Sequence, residues 1–300
     1  MAITVTQLTA FLAVVRGGSV TAAADELVVT QPSVSSAISA LARELNCELF
    51  ERAGRGIALT EAGAAFVPYA ADVLGLLERG RRAVSEVASV TSRRLRIAAV
   101  TTAAESFVPQ LMRDFALAHP DVELTLDVGN RAHVLESVLR HVADVAISGR
   151  PPTDERLIAE RLRENPIVCI TAPEDPAAAG GPRAAAELDS RAWLLREAGS
   201  GTRTLNEQFL ADRGLRPRTL ELGSNGAIKQ AARAGLGVSL VSRDAVAAEL
   251  ESGLLAEVVL RDPPATRPWY MLRSSVGPAR PAVRELVEHL RAGSASVTGA

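Results

Sequence analysis

Leu8, Phe11, Leu12 and Val15 stand at i, i+3, i+4 and i+7, the repeat of one helix face. Gly17-Gly18 interrupts that helix, and Ser19 caps a second, short one carrying Ala22, Ala23 and Leu27. After a turn at Val29-Thr30, Gln31-Pro32 opens a third helix, whose first turn tolerates proline. On it Val34, Ile38, Leu41 and Leu45 fall within about 60° of one another and form the buried face. From Glu48 to Leu59 the chain predicts two short strands, joined at Arg52-Ala53-Gly54-Arg55-Gly56. One long helix follows, capped by Thr60 and running to about Val90. Its apolar stripe of Phe66, Val67, Ala70, Val73, Leu74, Leu77, Val84 and Val87 is longer than so small a domain can cover. A partner helix, most simply the same helix of a second chain, would cover it. Pro68 sits in the interior and bends the helix. Thr91-Ser92-Arg93-Arg94 reads as a hinge.

Beyond the hinge the period changes. LRIAAV, VELTLDV and DVAIS are predicted strands, separated by helices near 105–118 and 131–141. IVCIT, AWLLR, TLELG, GVSLVS, LAEVVL and WYMLRS follow, again with helices interposed. Alternating β and α predicts parallel sheets, and so many strands fit two sheets better than one. The Pro/Ala/Gly-rich stretch 173–186 is expected at the surface, and residues 293–300 as a frayed tail.

A chain of 300 residues suggests about two domains. Its two cysteines, Cys47 and Cys169, cannot build a disulfide framework or a four-thiolate zinc site, and both are expected in cores. No apolar run approaches the ~20 residues of a membrane span, and LTAFLAVV lacks the basic flank and cleavage pattern of a signal peptide. A cytoplasmic protein with no membrane partner is expected. His119, His133, His141 and His289 have no metal-ligand spacing, and His133 and His141 are expected on the surface of one helix. Trp193 and Trp269 are expected to serve packing. No nucleophile–base set suggests catalysis, and neither cofactor nor metal is expected.

Opposite the buried face of the third helix fall Ser35, Ser36, Ser39 and Arg43. Serine is a mediocre helix former, so a face of small hydroxyls has little value for stability. It does suit a major groove: short side chains allow close approach, and hydroxyls bond to phosphates or base edges. Thr30, Gln31, Pro32 and Ser33 bring further groups to the helix N-terminus, which favours phosphate. Gln31 can pair bidentately with adenine. Arg52 and Arg55 of the hairpin complete a winged helix-turn-helix. Charge runs the other way. Arg16, Arg43, Arg52 and Arg55 face Asp25, Glu26, Glu44, Glu48 and Glu51 within 1–60, leaving the segment slightly acidic. Affinity for double-stranded DNA must then come from focused contacts and dimerisation, with shallow salt dependence.

The stretch SVTAAADELVVTQPSVSSAISALARELNCELFERAGRGIALTEAG resembles the N-terminal domain of LysR-type transcriptional regulators. The match runs in order through helix, turn, Gln-Pro, recognition helix, Leu-Phe-Glu-Arg wing and Leu-Thr-Glu-Ala-Gly entry to the linker helix. The chain departs from the family at Ala42, where a glutamate is usual, and at Asn46, where a glycine is usual. Asparagine is the best tolerated substitute at such a helix end. The resemblance implies a homodimeric linker coiled coil and a homotetramer reading an inverted-repeat operator. It also implies an α/β effector domain like that of periplasmic solute-binding proteins, with two lobes and a ligand cleft between them. The implied organisation is an all-α winged helix-turn-helix domain over 1–60 and a linker helix with hinge over 61–94. Lobe I takes 95–166 and 268–300, and lobe II takes 167–267.

Ligands of open α/β sheets sit at strand carboxyl ends. Those ends carry Thr101-Thr102, Gly129-Asn130 and Ser148-Gly149-Arg150 in the first lobe. The second offers Arg196, Gly199-Ser200-Gly201-Thr202-Arg203 and Ser224-Asn225-Gly226. Hydroxyls, glycines, asparagines and arginines at loop–helix junctions suit a small anionic metabolite. The segments REAGSGTR, DVGNRAHVLESV, AISGRPP and ELGSNGAIKQAARAGLGVSLVS resemble the branch that regulates carbon-dioxide fixation and sulfur assimilation. That branch implies phosphorylated sugars and related metabolites as effectors. It points to Thr101, Asn130, Arg150, Ser200, Thr202 and Asn225 as contacts. Glu105, where the branch often has a lysine, would repel a phosphate if it faced inward. The competing expectation is an intracellular solute-binding protein or enzyme on the same two-lobe scaffold.

Overall fold

The computed structural model describes residues 2–53, 56–88 and 93–297. It divides into two compact units, one of residues 1–90 with Leu139–His141, the other of 91–138 and 142–300.

In the first unit α1 (Val5–Gly17) starts at a capping box: Thr4 Oγ1 accepts from the Gln7 N–H while Gln7 Oε1 accepts from the Thr4 N–H. Ser19 caps α2 (Val20–Leu27) and Thr30 caps α3 (Gln31–Leu45). The latter ends on Asn46 at φ 53°, the left-handed position that excuses its replacing glycine. Strands β1 (Phe50–Ala53) and β2 (Gly56–Leu59) pair antiparallel, and α4 (Glu61–Ala88) follows with Pro68 inside it. As expected, Thr60 opens α4, its Oγ1 accepting from the Gly63 N–H.

Phe11 is fully buried at the centre, its ring 5.4 Å from that of Phe50 and 5.5 Å from that of Phe66. Leu8, Leu41, Leu49 and Ala70 close around it. Gly63 of the Leu-Thr-Glu-Ala-Gly motif has a steric cause, since a Cβ there would lie 2.1 Å from the Leu49 carbonyl oxygen. The α4 stripe divides. Phe66, Val67 and Leu74 pack on this core, whereas Tyr69, Val73, Leu77 and Val84 are exposed. The side chain of Val87 lies outside the described residues.

The second unit begins with β3 (Arg93–Val100), so Arg93 and Arg94 of the expected hinge are strand residues; Thr91 and Ser92 lie outside the described ones. The predicted helix near 105–118 is two, α5 (Thr101–Glu105) and α6 (Val108–Ala118). Then come β4 (Val122–Gly129), α7 (Arg131–Leu139), β5 (Val145–Ser148) and β6 (Leu157–Arg163). The chain continues through β7 (Ile167–Thr171), β8 (Trp193–Arg196), α8 (Gly201–Asp212), β9 (Thr219–Leu222) and α9 (Asn225–Arg233). It closes with β10 (Ser239–Ser242), α10 (Ala247–Glu251), β11 (Ala256–Val258), β12 (Trp269–Ser274) and α11 (Pro281–Val297).

One sheet has the order β4-β3-β5-β12-β6. We call it and its helices lobe I, and the sheets β10-β7-β11 and β8-β9 lobe II. The parallel expectation holds for β3 with β4 and β5 and for β8 with β9. It fails at β12, which is antiparallel to both neighbours, and at β7, antiparallel to β10 and β11. The returning segment re-enters lobe I in the opposite sense, which local alternation does not encode. Strand β6 went unpredicted because it is a half-exposed edge with no apolar alternation. The frayed tail is corrected as far as Val297, which is helical; 298–300 lie outside the described residues. Earlier in that helix Ala282, Val283, Leu286 and Val287 join the lobe I core, so burial rather than propensity holds it. His141 is also corrected: α7 ends at Leu139, and His141 is buried.

Candidate functional site

In the first unit the helix-turn-helix presents one polar surface. Thr30, Gln31, Pro32, Ser33, Ser35, Ser36, Ser39, Arg43 and Arg52 are all exposed. The opposite face of α3 holds Val34 and Leu41 buried, with Ile38 and Leu45 packed at the margins of the core. Some of the exposed groups are partly committed. Thr30 Oγ1 lies 2.8 Å from Ser33 Oγ, and Arg43 Nε donates to the Ser39 carbonyl. Arg16 is paired with Glu26. Arg55 lies outside the described residues.

In the second unit the ends of β3, β4, β5 and β8 converge on a cavity of about 240 Å³ between the lobes. Thr101, Thr102, Gly129, Asn130, Ser148 and Arg150 line it from lobe I. Arg196, Ser200, Gly201 and Thr202 line it from lobe II. Helices α7 and α8 begin beside it, so their N-terminal amides add to the positive field. Gly199 holds φ 85°, and a Cβ on it would stand 3.3 Å from Asn130 Nδ2, so glycine is what lets the two lobes approach.

Two expected contacts are elsewhere. Arg203 is not on the cavity wall: its guanidinium donates to Glu207 and Glu221, and to the Arg196 carbonyl. Asn225 is buried behind the wall, bonded to Arg196 and Thr102. Glu105 is exposed and not among the lining residues, which removes the feared repulsion.

Reading strand ends missed Arg131, Asn165, Gln208, Arg267 and Trp269, all of which line the cavity. Arg131 is the residue after Asn130, at the first position of α7; the strand end was found and its last cation overlooked. Arg267 was legible only as a crossing point between lobes. Trp269 packs against Phe107 at 5.8 Å, as expected of it, and also forms wall.

Charge is the dominant feature. Arg131 Nη1 donates to the Arg150 carbonyl at 2.6 Å, and Arg267 Nη2 to Gln208 Oε1 at 3.1 Å. Among the described residues no carboxylate pairs with Arg131, Arg150 or Arg267. Burial pulls the Arg131 guanidinium below its ordinary pKa, and the charges of Arg267 and Arg150 add to that shift. Burial and the charge of Arg150 act likewise on Arg267. Like charges gathered without counter-ions are a site waiting for an anion. Arg196 differs, because both Glu197 oxygens accept from it.

Among the described residues no group of three or more His, Cys, Asp or Glu could hold a metal ion. No described helix is long and apolar enough to cross a membrane.

Comparison with known proteins agrees with this geometry. Residues 5–64 match the bacterial regulatory helix-turn-helix of the lysR family, and 88–295 match the LysR substrate binding domain. The transcriptional activator CmpR of Synechocystis sp. is 33% identical over 90% of this chain and 88% of its own length. The RuBisCO operon transcriptional regulator of Allochromatium vinosum is 35% identical over 96% of each chain. The regulatory domain of Synechocystis CcmR, solved in complex with 2-phosphoglycolate, superimposes with a TM-score of 0.63 at 30% identity, covering 67% of this chain and 96% of that one. A helix-turn-helix with an exposed polar face, a linker helix, and an α/β domain with a cationic cleft, together with these matches, make this chain a member of the LysR family of transcriptional regulators, in the branch of carbon-dioxide-fixation regulators.

Proposed function

We propose that the chain is a cytoplasmic regulator that reads an inverted repeat through α3 and answers to a phosphorylated small acid of the 2-phosphoglycolate kind. The observation that carries the ligand class is the trio Arg131, Arg150 and Arg267 lining one cavity, with no carboxylate partner among the described residues. Three fixed cations favour a ligand with more than one negative charge, and guanidinium forks suit phosphate and carboxylate alike. A cavity of about 240 Å³ has room for a few-carbon acid with its phosphate. Thr101, Thr102, Asn130, Ser200 and Thr202 supply neutral contacts around the charges. Gln31, Ser35, Ser36 and Ser39 read the groove, with Thr30, Pro32, Ser33, Arg43, Arg52 and Arg55 at its phosphates. The exposed stripe Tyr69, Val73, Leu77 and Val84 pairs with the same helix of a second chain, and two such dimers make a tetramer. The cleft binds its ligand and returns it unchanged, as a sensor and not an enzyme.

Selection of bound duplexes from a random DNA pool, with and without 2-phosphoglycolate, tests this reading. An inverted repeat should be enriched. Gln31→Ala and Ser35→Arg should alter or abolish the enrichment while leaving 2-phosphoglycolate affinity within twofold. Arg131→Met should do the reverse. No enriched repeat in either condition from folded dimeric protein would refute DNA reading, and turnover of the bound acid would refute the sensor role.

A further inference from the structure

Asn225 is the first residue of α9, and it is buried although it lines no part of the cavity. Both ends of its amide are committed. Its Oδ1 accepts from Arg196 Nη1, and its Nδ2 donates to Thr102 Oγ1 at 2.8 Å. Chemistry fixes that orientation: a guanidinium only donates, so the amide oxygen must face Arg196 and the NH2 must face Thr102. Arg196 stands at the end of β8 in lobe II, Thr102 in the α5 turn after β3 in lobe I, and both line the cavity. The other side of the guanidinium is clamped by Glu197, whose oxygens accept from Nε at 2.7 Å and Nη2 at 2.9 Å. The chain Glu197–Arg196–Asn225–Thr102 therefore crosses from one lobe to the other directly behind the cavity wall. Arg196, Asn225 and Thr102 are all at least nine-tenths buried, where water does not compete for these bonds.

From this geometry we infer that Asn225 is a positioning residue: it fixes the cleft-facing Arg196 and joins it to Thr102, so that one side-chain amide ties the two walls, beside the backbone bond from the Ala132 N–H to the Gly199 carbonyl. An anion drawing Arg196 or Thr102 toward itself pulls on the opposite lobe through Asn225. The link between this bridge and ligand binding rests on the cavity's being the effector site; the bridge itself does not. It also explains why an asparagine belongs here. Leucine fills the space but satisfies neither partner, whereas the amide serves Arg196 with its oxygen and Thr102 with its NH2.

The distance between lobes is the direct readout. Full-length protein carrying Cys47→Ser, Gln110→Cys in α6 and Glu251→Cys in α10 is spin-labelled, and the distance distribution is recorded by pulsed electron resonance. Cys169 stays unlabelled, because burial pushes its thiol up to about 12. With labelled subunits diluted in an excess of unlabelled ones, so that only the pair within one subunit is read, the parent should give one narrow distance. Asn225→Leu and Thr102→Val should each broaden it by a similar amount, and their combination by no more than either alone. Thr102→Ser, which keeps the hydroxyl, should leave it narrow. Thr102→Val probes the same bond from lobe I should Asn225→Leu fail to fold. In parallel, Asn225→Leu should weaken 2-phosphoglycolate binding about tenfold, the effect of one buried hydrogen bond. An unchanged distance in Asn225→Leu, or additive broadening in the double variant, overturns the bridge. Failure of the parent to bind 2-phosphoglycolate overturns the ligand reading alone, and the distances still decide the bridge.

Discussion

Val28 ends α2 at φ 55° and ψ 47°, a left-handed conformation that costs a β-branched residue about 1–2 kcal/mol. The residue is 89% exposed, so no burial repays that strain. Val28→Asn should therefore raise stability by about 1 kcal/mol, read as a higher urea midpoint at unchanged slope; an unchanged midpoint would mean that the strain is relieved elsewhere. His141 poses the converse case. Its ring is buried against Gly75, where a Cβ would lie 2.3 Å from the imidazole. Arg79 Nη1 lies 3.2 Å from Nδ1 and can only donate, so Nδ1 accepts and Nε2 carries the proton toward Asp72 Oδ1 at 3.0 Å. Burial pulls this imidazole below its ordinary pKa, the charges of Arg79 and Arg82 push the same way, and Asp72 opposes them without prevailing. The folded chain keeps His141 neutral where the unfolded chain takes up a proton. Its contribution is thus full above pH ~6.5 and declines as pH falls through that value. Unfolding free energy measured from pH 8 to 5 should fall in this window, and His141→Gln should flatten the decline. Neither residue could be placed from sequence, since a left-handed valine and a buried histidine are both set by neighbours distant along the chain.

At the scale of elements, α4 is the clearest case of a helix whose pattern exceeds its own fold. Tyr69, Val73 and Leu77 recur every four residues, and Val84 continues the row after seven. Leaving them exposed in water forfeits the burial that makes an amphipathic helix stable. Val73→Glu should break the tetramer down to dimers held by the second interface in analytical ultracentrifugation and weaken DNA binding at least tenfold. A tetramer that survives the charge would place the α4 interface elsewhere. The serine face of α3 belongs to the same scale. It was legible because periodicity separates faces on a helix, and the structure leaves each of those serines exposed. Strand β6 was illegible for the matching reason: an edge strand half in water has no apolar rhythm to read.

For the whole molecule, net charge is −2, and residues 1–60 carry no excess of basic side chains. On the proposed reading only Arg43, Arg52 and Arg55 neutralise phosphates in each subunit. The logarithm of DNA affinity should then fall against that of salt with a slope shallower than about −6 for a dimer. A steeper slope would reveal cations engaged outside the winged helix. Sequence alone determined the order of parts, the helix-turn-helix, the partner-seeking linker helix and the strand ends that carry small polar residues. These follow from local periodicity, capping and turn chemistry, which neighbouring residues set among themselves. Tertiary structure alone decided which strand ends meet. It brought Arg131, Arg150 and Arg267 to one cavity, sent Arg203 to surface glutamates, and withdrew Asn225 into a bridge between lobes. Such groupings depend on how strands far apart in sequence pack and in which sense the chain returns, and no local pattern encodes that choice.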